Sequence, residues 1–117
     1  MPNDIDQIAV VVDWLDACRT RNLEALLDLY APQNASLECE CGGPRVHEGR
    51  AGLASYWHPR LDSPSPTAFG MDEIMPVTDG VVLDYLSFEG KPVRMFFTFD
   101  GEGKILQTRC VPSAESR

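Results

Sequence analysis

The sequence holds no apolar run near the roughly 20 residues that cross a bilayer, so no membrane partner is expected. It has little positive charge. Ten Lys and Arg face eighteen Asp and Glu, the net charge is −8 and the pI is about 4.5. The basic residues are scattered, so nucleic acid and anionic surfaces are poor partners. The chain opens Met1, Pro2, Asn3, Asp4, acidic and already helical in pattern. A secretion signal would begin basic and turn apolar, so the expected compartment is the cytoplasm. The four cysteines are then read as reduced thiols rather than disulfides. There is no glycine-rich phosphate loop, no Gly-x-Ser-x-Gly and no His-Glu-x-x-His. Repeats, low-complexity segments and linkers are also missing, and no cofactor is expected.

What is present suits one small globular domain over residues 1–117, with 44% apolar and 24% charged residues. Ile5, Ile8, Val12 and Leu15 recur at helical spacing, with Val11 and Cys18 widening the stripe. Asn3 or Asp4 caps this helix. Asn22 caps a second, whose apolar face is Leu23, Leu26, Leu27 and Tyr30 and which Pro32 ends. Residues 35–41 read as a strand with Leu37, Cys39 and Cys41 on one face, followed by a turn at Gly42, Gly43 and Pro44. A third helix runs from about Arg50 to His58, burying Leu53 with one or both of Tyr56 and Trp57, and Pro59 stops it. Residues 59–66, with three prolines, form a stiff loop. Strands follow near 68–75, 81–89, 92–99 and 104–111. Helices first and strands after make the fold class α+β.

The turns predict which side chains share a face. A two-residue loop at Gly90 and Lys91 sets Glu89 opposite Pro92 and Asp84 opposite Phe97. One face then carries Val82, Asp84, Leu86, Phe88, Val93, Met95, Phe97 and Phe99. A four-residue loop at 100–103 adds Leu106, Thr108 and Cys110 to it. This face is expected to meet the helices, with Asp84 the only ionisable group on its 82–99 hairpin. The other face carries Tyr85, Phe96, Ile105 and Val111 with Arg94 and Arg109, which suggests a homodimer through the outer sheet face. A slip of one residue would exchange the two faces.

Several segments together resemble the SnoaL-like branch of the NTF2-like superfamily. They are the helical hairpin ending at Tyr30, Ala31 and Pro32, the Gly49-Arg50 turn into the third helix, and the hairpins closing at Asp100, Gly101, Glu102, Gly103 and Lys104. The resemblance implies a cone, with three N-terminal helices packed on a strongly curved, mainly antiparallel sheet around an apolar pocket. It includes ketosteroid isomerases, polyketide cyclases and dehydratases. The isomerase base position falls at Cys39, the oxyanion tyrosine at Trp14 and the protonated aspartate near Met95. None of these can take the same role unchanged. Isomerisation of that kind is rejected, since fold alone does not carry function.

Asp84, placed among Leu86, Met95 and Phe97, is the candidate acid or base. Its structural alternative is a position at the cone mouth or a pair with an arginine. His58 is a weaker candidate, and a helix-end cap otherwise. The pocket lining is expected to come from Trp14, Cys18, Leu37, Cys39, Tyr56, Trp57, Leu86, Met95, Phe97, Thr108 and Cys110. Tyr56, Thr108 and His58 are the available donors. A metal or redox site shared by the cysteines is the functional reading, but Cys39 and Cys41 stand two apart on a strand, roughly 7 Å, and buried cysteine packs as a small hydrophobe. No metal site is assigned. The expected function is binding of a small apolar or aromatic metabolite, with isomerase, cyclase or dehydratase chemistry at Asp84. The competing reading is a non-catalytic ligand-binding or protein-interaction module.

Overall fold

The computed structural model describes residues 4–39 and 45–112. The expected cap at Asn3, Cys41 and the turn at Gly42, Gly43 and Pro44 lie outside the described residues. Three helices, α1 (Asp4–Arg19), α2 (Leu23–Asp28) and α3 (Gly49–Asp62), pack on one face of a curved six-stranded sheet. The strands are β1 (Ser36–Cys39), β2 (Arg45–Glu48), β3 (Met71–Val77), β4 (Gly80–Leu86), β5 (Pro92–Phe99) and β6 (Ile105–Pro112). Their order is β2-β1-β6-β5-β4-β3. The β1–β6 pair is parallel and the others are antiparallel.

The helices follow the sequence with two corrections. On α1 the buried stripe is Val11, Trp14, Leu15 and Cys18, while Val12 is exposed. Trp14 joins the stripe because its indole fills the centre of the core. Asn22 caps α2 as expected, its side chain accepting from Ala25 N at 3.1 Å. Pro59 does not stop α3, which continues to Asp62. Its missing N–H removes one helical hydrogen bond. The last turn is held from outside, because Arg21 donates to the carbonyls of Leu61 at 2.8 Å and Asp62 at 2.6 Å. Leu61 is buried beneath that turn. The third helix is therefore one turn longer than expected.

The β4–β5 hairpin sets a register that the sequence reading misses. Pro92 faces Leu86, not Glu89, and Asp84 faces Arg94. The loop is longer because Ser87 ends the strand. Its hydroxyl accepts from Glu89 N at 3.2 Å and Lys91 N at 3.4 Å, while Gly90 N donates to Ser87 O at 2.8 Å. Gly90 sits at φ 80°, a conformation glycine adopts readily. The shift is odd, so every β4 side chain changes face. Val81, Leu83 and Tyr85 turn inward beside Val93, Met95 and Phe97, and Asp84 turns outward. In β6, Thr108 faces Phe97 and Cys110 faces Met95, both buried as expected. A bulge after Thr98 turns Ile105 inward as well. The outer-face association expected from the sequence rested in part on Tyr85 and Ile105, and both belong to the core.

Trp14 organises that core. It meets Trp57, Tyr85 and Phe97 edge-on, with ring centroids 5.4, 5.6 and 5.1 Å away. Its indole N–H donates to the Tyr30 hydroxyl at 3.3 Å, which lies 3.1 Å from Thr108 Oγ1. This polar knot joins α1, the end of α2 and β6 inside the apolar core. Burial pushes the Tyr30 hydroxyl up to about 12, against the pull of the Thr108, Trp14 and Trp57 side chains around it.

Candidate functional site

A cavity of about 560 Å³ opens between α3, the ends of β1 and β6, and the loop joining β4 to β5. Its deepest lining is aromatic: Trp57, Phe69 and Tyr85 are each less than 5% exposed. Cys39 and Cys110 face it from the two parallel strands, and Val93 from β5. Phe88, Glu89 and Lys91 of the loop line it as well.

Phe69 is held there by a specific contact. Its backbone is left-handed at φ 63°, unusual for a residue with a side chain. Arg19, at the end of α1, donates from Nε to the Phe69 carbonyl at 3.0 Å and fixes this bend. The Phe69 ring then stacks against Tyr85, 6.5 Å between centroids.

Tyr56 and Arg60 stand one turn apart on α3, so they share a face. The Arg60 guanidinium carbon lies 3.7 Å from the Tyr56 ring centroid and 5.3 Å from that of Phe88. Arg60 Nη1 also donates to the Tyr56 carbonyl at 2.7 Å. Among the described residues no carboxylate pairs with Arg60. The Tyr56 hydroxyl donates to Cys39 Sγ at 3.5 Å, and His47 packs on the Tyr56 ring at 5.0 Å. Desolvation, aided by the Cys39 contact, raises Tyr56 far above the usual phenol range, so it stays a neutral donor. Glu89 is the only carboxylate in the described lining; it is 54% exposed and 3.9 Å from Lys91 Nζ. No three His, Cys, Asp or Glu side chains among the described residues are grouped to hold a metal ion.

Of the residues expected in the pocket, Cys39, Tyr56, Trp57 and Cys110 line the cavity. Trp14, Cys18, Leu37, Met95, Phe97 and Thr108 are core residues away from its wall. Burial pushes the Cys18 thiol well up, so it stays protonated. Leu86 lines a shallow groove with Gly70, Met71 and Asp84 instead. His58 is exposed and does not line the cavity. Arg60, Phe69 and Tyr85 were not expected there. Arg60 lay beyond the supposed helix end, Tyr85 was given the wrong parity, and no pattern marks Phe69.

Asp84 is the main correction. It sits on the outer face in a two-pronged pair with Arg94, Oδ1 to Nε at 2.7 Å and Oδ2 to Nη2 at 2.9 Å. This is the arginine pair weighed as its structural alternative. The Arg94 hydrogen bonds hold its carboxyl below the ordinary value of 3.8. A carboxylate so lowered stabilises the fold above its unfolded-state pKa, and that contribution is lost as the pH falls through the folded value. Asp84→Asn is expected to cost about 1 kcal/mol at neutral pH, the modest figure of a partly exposed pair. The gap between variant and parent should close in strong acid. Urea titrations at both pH values check this, and a gap that widens in acid would contradict the pairing.

The chain shares its fold with solved SnoaL-like and NTF2-like proteins. A SnoaL-like protein of unknown function from Burkholderia thailandensis superposes with a TM-score of 0.84 at 17% identity, covering 97% of this chain and 100% of that one. An NTF2-like protein of unknown function from Burkholderia xenovorans gives 0.75 at 16% identity over 96% and 88%. SalBIII, an epoxide hydrolase/cyclase-like enzyme in pyran ring formation of the polyether salinomycin, gives 0.71 at 18% identity over 99% and 97%. The sequence matches no family model and no curated protein. No helix among the described residues is long and apolar enough to cross a membrane.

Proposed function

We propose that the chain binds a small aromatic or apolar molecule carrying an anionic group, held in the cavity with its anion at Arg60. The observation that carries this reading is a guanidinium stacked on Tyr56 at the wall of an aromatic cavity, with no carboxylate pairing with it among the described residues. Arginine is weakly hydrated and presents a planar fork that matches a carboxylate. The aromatic floor supplies apolar contact, and the fork fixes orientation. The fold shared with SalBIII, an epoxide hydrolase/cyclase-like enzyme, supports a small-molecule cavity.

Binding stands ahead of catalysis in this reading. Isomerase, cyclase or dehydratase chemistry needs an acid or base in the cavity. With Asp84 outside, the only carboxylate of the described lining is the exposed Glu89, and burial keeps the Tyr56 and Tyr85 hydroxyls neutral. The test is calorimetric titration with 2-naphthoate and with the neutral 2-naphthamide. Arg60→Leu should weaken the acid roughly 10- to 100-fold, the worth of a charged hydrogen bond of about 1.5–3 kcal/mol. It should leave the amide nearly unchanged. Equal binding of acid and amide to the parent protein would overturn the assignment.

A further inference from the structure

Cys39 and Cys110 are direct register partners in the parallel β1–β6 pair. Register partners on neighbouring strands point to the same face, with chains roughly 4.8 Å apart. Both side chains face the cavity described above, and neither is in a disulfide. The third described cysteine, Cys18, lies in the core away from this wall. A direct sulfur–sulfur bond wants Cβ atoms about 3.5–4.5 Å apart. An atom bonded to both sulfurs spans the strand spacing with less distortion. The Tyr56 hydroxyl already donates to Cys39 Sγ, so one sulfur has a fixed place in the wall. Aromatic rings of Trp57, Phe69 and Tyr85 line the same cavity and offer contact to an apolar substituent.

We propose that Cys39 and Cys110 form a two-thiol site that captures a soft, thiophilic centre, the class represented by a monosubstituted trivalent arsenical, with its organic group in the aromatic cavity. The step is an exchange without oxidation. Two arsenic–sulfur bonds form as the arsenic–oxygen bonds of the arsenoxide break. The two thiol protons leave with the oxygen as water, and arsenic stays trivalent. The second sulfur reacts within the complex, which multiplies affinity over a single thiol by roughly 100-fold or more.

The test uses phenylarsine oxide on the whole protein. One equivalent should bind and remove two of the four cysteines from thiol titration. An added small dithiol should restore both. Blocking the remaining thiols first, then releasing the arsenic and labelling what it protected, should place the label on Cys39 and Cys110 in the unmodified protein. Cys39→Ala and Cys110→Ala should each weaken capture roughly 100-fold, while Cys18→Ala leaves it unchanged. Asp84→Asn, on the outer sheet face, should also capture normally. Label on any other pair, capture that survives both single substitutions undiminished, or no stable adduct would overturn it.

Discussion

Gly80→Ala is expected to lower the unfolding free energy by roughly 3 kcal/mol, the upper end of the usual cost of overpacking. Gly80 opens β4 where the chain crosses close to β5. A methyl group built on it would overlap the Phe97 carbonyl oxygen and lie 3.0 Å from the Phe97 carbonyl carbon and 3.3 Å from Thr98 Cα. All three are backbone atoms, so no side chain can swing aside to make room. The strands must part at the Val81–Phe97 pair, where both residues are fully buried. Phe97 also supports the Trp14 ring, so the disturbance reaches the centre of the core. Guanidinium denaturation of parent and variant measures the loss. A midpoint equal to the parent's would show that the close approach is absent.

Trp14→Ala should cost about 3–5 kcal/mol, the range for removing a large buried aromatic side chain. Three edge-to-face ring contacts disappear at once, and the Tyr30 hydroxyl loses a donor. Trp14→Phe should recover part of the loss but not the hydrogen bond. Trp14 does not line the cavity, so the Phe variant should bind 2-naphthoate as the parent does. The same denaturation curves, paired with calorimetry, separate the two effects. A Phe variant that folds fully but binds weakly would make Trp14 part of the binding wall instead.

The architecture was legible in the sequence because its signals are local. The Asn22 cap, the apolar spacing of α2 and the turn residues between strands each act over a few positions. The short β2 was missed because Arg45–Glu48 carries one exposed apolar residue, Val46, and is recruited by β1 through its backbone. The reach of α3 past Pro59 depends on Arg21, distant in sequence, which no helix pattern reveals.

The site was less legible because it depends on parity. A hydroxyl at Ser87 lengthened one loop and moved Asp84 from inside to outside, exchanging it for Tyr85. The β5–β6 register also differed from expectation, but by an even step for Thr108 and Cys110, so both stayed inside. Cys39 and Tyr56 needed no hairpin register and were placed by their own elements. Arg60 and Phe69 come to the cavity through contacts with Tyr56 and Arg19 that only the folded chain assembles.

The most direct test of the account is a nitrogen–proton correlation spectrum followed during titration with 2-naphthoate. Arg60 Nε and the Trp57 indole should shift together and saturate at one equivalent, while Arg94 Nε on the outer face stays in place. Shifts confined to Arg94 and its neighbours, or none at all, would contradict a cavity that receives an aromatic acid.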